Sequence, residues 1–251
     1  MAARLLILAA ALALAGAFAA SAQARPPARA LLIACERSLE EAERASVFEG
    51  QMRALPGAAR MQMRFTLEAS TPERRRWTRV AAPGFGTWVG SAPGTARYRY
   101  TKRVEHLLAP ASYRVRVSFR WLDAAGAVVE QARRYSAPCQ QPDPRADLIV
   151  RSVAVEQLGG DSGRRRYVAY VRNTGRTAAE PSLLSLTVGG VVLPARPVLA
   201  LEPGEGAYVG VEGPACEPGT EIVADADADQ SVDESDETDN RFIRGCPPEF
   251  A

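Results

Sequence analysis

From Tyr113 to Trp121 every second residue is apolar: Tyr113, Val115, Val117, Phe119 and Trp121 alternate with Arg114, Arg116, Ser118 and Arg120. That period of two marks a strand with one face buried and the other in water. A helix would scatter the same apolar set around its circumference. The alternation recurs at Met61, Met63, Phe65 and Leu67, at Tyr167, Ala169 and Val171, and at Leu184, Leu186 and Val188. Further strands are predicted over "SVFEGQMRAL", around Trp77, from Arg97 to Leu108, and over "AVVEQARRYSAPC". Turn chemistry separates them: Pro56-Gly57, "APGFGTWVGSAPG", "DAAG", Asn173-Thr174-Gly175, Gly189-Gly190 and Glu202-Pro203-Gly204. Short strands joined in this way predict an all-β chain built from antiparallel sandwiches. "SLEEAERA" has helical composition but is short enough for only one or two turns, with Ser38 as candidate N-cap and Glu41 three residues on.

The first residues read as a secretory signal: Arg4, the apolar "LLILAAALALAGAFAA", then Ala22-Gln23-Ala24 as a small-x-small cleavage site. Removing residues 1–24 from 251 leaves 227, enough for two domains of ordinary size. No second apolar run approaches the ~20 residues of a membrane span. The mature chain is therefore expected in the periplasm or the medium. "LIAC" at Leu32–Cys35 has the look of a lipoprotein box. "RPPAR" separates it from the apolar run, however, and lipidating Cys35 would strand an odd cysteine. Four cysteines in an exported chain imply two disulfides in one of three connectivities. Cys216 precedes a strand starting near Thr220, and Cys246 ends a strand starting near Arg241. Antiparallel neighbours bring those ends together, which predicts Cys216–Cys246 and, by exclusion, Cys35–Cys139. There is no C-x-x-C pair and His106 is the single histidine, so a zinc site is not expected.

Towards the C-terminus four motifs follow in order: "ADLIV", "VRNTG", "LEPGE" and "VDESDETDN". In sequence and spacing they resemble the bacterial cell-adhesion-related (CARDB) domain, an immunoglobulin-like family of secreted and surface proteins. The resemblance implies an immunoglobulin-like β-sandwich over residues 147–246 and an adhesion-like role. In the first half, "LAPASY" from Leu108 to Tyr113 resembles the tyrosine corner of fibronectin type III domains, one residue shorter than usual. It implies a fibronectin- or immunoglobulin-like sandwich over residues 25–140. In that topology residues 36–45 would cross the domain for Cys35 to reach Cys139. Residues 141–146, with their two prolines, read as a short stiff linker, and 247–251 as a tail. Residues 25–30 read as a mobile lead-in.

Charge divides the chain. Arg25 to Asp143 holds 20 Arg and Lys against 11 Asp and Glu, and Pro144 to the end holds 10 against 18. A basic half joined to an acidic half suggests packing between halves or between copies. Arg74, Arg75, Arg76 and Trp77, with Trp88, form a candidate ligand contact suited to a polyanion. Asp225, Asp227, Asp229, Asp233 and Asp236 follow a calcium-loop spacing, within a run of eight acids in fifteen residues that contains no Lys or Arg. Gln230 stands where the sharp turn wants glycine, and Asp236 where a bidentate glutamate is usual. The competing reading is a solvated acidic hairpin. No other cofactor is expected.

Catalysis would need a nucleophile with its base, a carboxylate pair or a metal. The chain has no G-x-S-x-G, H-E-x-x-H or Walker loop, and Gly84-Phe85-Gly86 is followed by no helix pattern. His106 is expected as a partly buried structural residue. The leading expectation is an exported, non-catalytic binding or adhesion module of the cell envelope, acting on protein or glycan. The alternatives are a structural accessory without a ligand and, third, an enzyme with a pocket at His106. Exposed aromatics among Trp77, Trp88 and Trp121 would favour a glycan. Export removes nucleic acid as the usual partner.

Overall fold

The alternating segments fold as antiparallel strands. The computed structural model describes residues 27–159 and 163–248, so the signal segment 1–24 and the end of the tail lie outside the described residues. The first half contributes β1 (Ala28–Glu36), β2 (Ala45–Arg53), β3 (Arg60–Ser70), β4 (Thr78–Arg79), β5 (Trp88–Gly90), β6 (Arg97–Glu105), β7 (Ala111–Leu122), β8 (Val128–Tyr135) and β9 (Cys139–Gln141). One sheet runs β1-β2-β6. The other runs β4-β3-β7-β8, with β5 also on β3 and β9 also on β7. The apolar parity of β3 and β7 faces inward. Met61, Met63, Phe65, Val115, Val117, Phe119 and Trp121 are all buried, and Phe48 and Met52 of β2 join them from the opposite sheet. Each large apolar side chain so buried is worth roughly 1.5–3 kcal/mol. Trp121 also ties the two sheets together, its indole Nε1–H donating to the Arg53 carbonyl at 2.7 Å. Gly50 lies beneath this packing: a Cβ there would stand 2.5 Å from the Met63 sulfur.

The corner motif is closed by a side-chain hydrogen bond. The Tyr113 hydroxyl donates to the Leu108 carbonyl at 3.1 Å, across a cis Ala109–Pro110 peptide. Four local expectations are corrected. The lead-in is not loose from Ala28 onward, because β1 pairs with β2 from Ala28↔Met52 to Glu36↔Ala45. "SLEEAERA" gives only a 3-10 turn at Glu41–Glu43, capped in position by Glu40 rather than Ser38. The Ser38 hydroxyl instead receives the Glu40 N–H and donates to Glu43. Residues 36–45 do not cross the domain but reverse the chain between adjacent strands, and Cys35 joins Cys139 with 5.4 Å between Cα atoms. The strand expected around Trp77 is only the two-residue β4. The bonded Cys35 leaves no thiol there for a lipid.

The second half contributes β10 (Leu148–Gln157), β11 (Arg164–Asn173), β12 (Ser182–Val188), β13 (Val191–Val192), β14 (Arg196–Val198), β15 (Gly206–Pro214), β16 (Glu221–Asp225) and β17 (Arg241–Gly245). Sheet β10-β11-β15 packs on sheet β13-β12-β16-β17, with β14 also on β12. Leu148, Val153, Tyr167, Ala169 and Val171 meet Leu184, Leu186, Ile222 and Ala224 in a second core. The β16–β17 hairpin is closed at its open end by Cys216–Cys246, with Cα atoms 5.9 Å apart. Among the described residues no helix is long and apolar enough to cross a membrane.

Candidate functional site

The four C-terminal motifs meet at one end of the second sandwich, around a buried amide. Asn173 is fully buried and uses all of its hydrogen-bonding capacity. Its Oδ1 accepts from the N–H groups of Asp147 (3.2 Å) and Gly175 (2.9 Å), and its Nδ2 donates to the carbonyls of Thr177 (2.8 Å) and Leu201 (2.9 Å). Its backbone exchanges bonds with Glu205 and Gly204 of the "LEPGE" turn. Gly175 is required by close approach, because a Cβ there would lie 2.5 Å from the Ala146 carbonyl carbon. From the acidic hairpin, Ser235 donates its N–H to the Ala146 carbonyl, and Glu234 Oε1 accepts the Leu148 N–H at 2.7 Å. This polar network, with every polar atom of the Asn173 amide satisfied, fixes the strand ends against one another.

Glu234 is the charged member of that network. It is 1% exposed, and its second oxygen accepts from Asn240 Nδ2. Burial pushes its carboxyl up to about 7, against the pull of those two donors, and the nearby Asp227 and Glu237 charges add to the rise. These three residues bring one carboxylate oxygen each within 4.8 Å of one another. Each already has at least one oxygen engaged. Asp227 accepts from the Ser231 N–H and hydroxyl and from the Val232 N–H, and Glu237 accepts the Glu234 N–H.

The five aspartates of the calcium spacing do not converge. Asp225 pairs with Arg241 at 3.2 Å, and Asp229 accepts the Leu183 N–H at 3.0 Å. Asp233 pairs with Arg145 at 2.6 Å. Asp236 accepts the Thr238 N–H at 2.9 Å, and bonds from Thr238 hold its carboxyl below the usual range. Asp227, expected on a solvated face, is buried, with φ 45°. The physical reason is that each carboxylate has its own partner: Asp227 and Asp236 take turn N–H groups, with Asp227 and Gln230 in left-handed conformations, while Asp225, Asp229 and Asp233 turn to Arg241, Leu183 and Arg145.

On the first sandwich, the outward parity of β3 and β7 builds a face of stacked arginines and aromatics. The Arg114 guanidinium lies 4.1 Å from the Trp77 ring centroid and 4.5 Å from that of Tyr135. Trp88 is flanked by Arg120 at 4.0 Å and Arg64 at 4.9 Å. Register places Glu68 opposite Arg114, Thr66 opposite Arg116 and Gln62 opposite Arg120. Glu68 pairs with both Arg114 (3.0 Å) and Arg116 (3.2 Å), and Gln62 accepts from Arg120 Nε at 2.7 Å. The rings and polar partners thus hold the arginines in fixed poses. Trp77 and Trp88 fall on one sheet surface, as a shared ligand contact would require. Trp121 does not join them, because it is buried on the other parity. Arg74, Arg75 and Arg76 are exposed in the loop leading into Trp77. Sequence reading did not single out Arg64, Arg114, Arg120 and Tyr135 as ligand contacts. Their signal was the arginine at alternate positions of the two clearest strands.

His106 is exposed rather than partly buried, at φ 54° in the turn after β6.

Residues 145–244 match the family model of the CARDB domain. No curated protein matches the chain. Among solved structures, the CARDB domain of a Pyrococcus furiosus protein, in complex with di-metal ions, is 20% identical over 41% of this chain and 89% of that one, at TM-score 0.35. A domain from Methanosarcina acetivorans, assigned to a cell surface protein, is 18% identical over 41% and 92%, at TM-score 0.35. Red sea bream transglutaminase is 10% identical over 88% of this chain and 31% of its own, at TM-score 0.36. The family match fits a non-catalytic extracellular module, and two disulfides fit an oxidising compartment.

Proposed function

We propose, on the premise that residues 145–244 form a CARDB domain, that this is an exported binding module whose first sandwich holds an acidic polysaccharide of the cell envelope. The observation that carries the reading is the stacked face: Arg64, Arg114 and Arg120 lie against Trp77, Trp88 and Tyr135 on one sheet surface. A guanidinium held on an aromatic ring loses little side-chain entropy on binding, and Arg120, which gives its Nε–H to Gln62, keeps further N–H groups for carboxylate or sulfate. The half-exposed rings add stacking surface for sugar C–H faces.

The test is retention on an immobilised polyuronate against a neutral polysaccharide of equal size. Binding is expected to the polyuronate alone, weakening as salt shortens the Debye length to ~8 Å at physiological strength. Arg64→Gln with Arg120→Gln should weaken it about tenfold or more, at about 1.4 kcal/mol per tenfold. Equal retention of both polymers, or no effect of the double variant, would remove this reading.

A further inference from the structure

Two arginine–ring groups share the outer face of sheet β4-β3-β7-β8, and no ring belongs to both. At one end Arg114 lies between Trp77 and Tyr135; at the other Arg120 and Arg64 flank Trp88. Arg114 and Arg120 sit on the same parity of β7, six residues apart. Antiparallel strands rise ~3.4 Å per residue, so the two groups stand about 20 Å apart along the strand. On β3 the ends fall at Arg64, opposite Trp88, and at Ala69, opposite the Thr78 that follows Trp77. The interval is rigid, because β3 and β7 pair without a register shift from Arg60↔Leu122 to Ser70↔Ser112.

Between the groups the register places Thr66 beside Arg116 and Arg64 beside Ser118. Glu68 is the one carboxylate that the register puts on this face of the paired strands. It is 9% exposed, and its oxygens are engaged by Arg114 and Arg116. Glu130 of β8 lies on the other parity, opposite the buried Trp121, and Glu73, in the loop before Trp77, is bonded to Thr71. A ligand with one sugar ring and one charge can use only one group. A linear chain of uronate sugars presents a carboxylate and a C–H face at each unit, so a single chain lying along β7 can meet both. Filling the second group is then intramolecular, at an effective concentration set by the fixed interval, and affinity rises without a new contact at either end.

We propose that the two groups are paired subsites of one track along β7, and that the ligand class is a linear polyuronate segment long enough to reach both. The proposal rests on the polysaccharide reading above.

Galacturonate oligomers of increasing length, from the dimer upward, would be titrated calorimetrically into the whole mature chain, with both disulfides intact and at fixed ionic strength. Affinity should step up about tenfold or more at the length that first spans both groups. Trp77→Ala and Trp88→Ala each disable one group and leave the other. Both rings are partly exposed, so the fold should be kept, and thermal midpoints of the ligand-free proteins check this. Either variant should bind the longest oligomer no better than the parent binds one too short to span. Affinity that climbs smoothly with length in the parent, or a step that survives in either variant, overturns the paired subsites and leaves the polyuronate reading in place. If neither oligomers nor polymer bind the parent, the reading itself fails and the inference falls with it.

Discussion

Replacing Glu234 by glutamine should change how stability depends on pH. The carboxyl is buried and its titration is pushed from 4.5 up to about 7, chiefly by burial. The folded state therefore holds this proton more tightly than the unfolded chain. Between about pH 4.5 and about 7 the folded state carries the extra proton, and stability falls as pH rises through that window. At 1.36 kcal/mol per pH unit the loss approaches about 3 kcal/mol above neutrality. Glutamine keeps the carbonyl that receives the Leu148 N–H and removes the charge. Its amide then faces Asn240, whose Oδ1 is buried without a partner in the parent and can turn to accept. Denaturant unfolding of the whole mature chain from pH 4 to 8, parent against Glu234→Gln, isolates this group, because other titrations are common to both. The variant should match the parent near pH 4 and exceed it by about 2–3 kcal/mol at pH 8. Parallel curves across the range would refute the argument and show that the Glu234 carboxyl is ionised at no cost in the fold.

Two further outcomes concern stability. Asp227→Ala strands the buried Val232 N–H and should cost about 2–3 kcal/mol, while Asp236→Ala, at an exposed turn, should cost under about 1 kcal/mol; equal losses in urea unfolding would argue against a structural Asp227. The Cys35–Cys139 bridge closes a separation of 104 residues and Cys216–Cys246 one of 30, so paired alanine replacements should cost ~4.7 and ~3.7 kcal/mol respectively, measured by denaturant midpoints.

Strand identity was legible wherever one parity was strongly apolar. β3, β7, β11 and β12 all show it, because a half-buried strand must alternate. β1 escaped notice because "ARALLIACE" has apolar residues on both parities, and its pairing to β2 is broken by an irregularity between Leu32 and Ala34. The short helical stretch misled through composition: three glutamates in four residues suit a helix, but eight residues between two paired strands leave room only for a reversal. The motif residues were legible as a family pattern and not as physics. Nothing in "VRNTG" announces that its asparagine will bond to Asp147, Thr177 and Leu201, since two of those partners come from segments remote in sequence.

The acidic hairpin and the arginine faces fail in opposite ways as sequence signals. In the hairpin a charge run with ligand spacing drew attention, yet its aspartates are engaged one by one, by the loop's own N–H groups, by the Leu183 N–H of β12, and by Arg145 and Arg241. Short side chains beside a turning backbone find donors within a few residues, so spacing along the chain overstates convergence in space. In the first half the arginines draw less notice, because they are spread at every second position over several strands. Sheet pairing multiplies them: it sets Glu68, Thr66 and Gln62 beside three arginines of β7, and brings Trp88 on β5 beside Arg64. A long arginine on a flat sheet cannot curl back to its own backbone turn, so it reaches across to a ring on the next strand and leaves its outer edge to solvent. Arginine–ring contacts therefore gather on the face where charge is dispersed in sequence, and not at the run where it is densest.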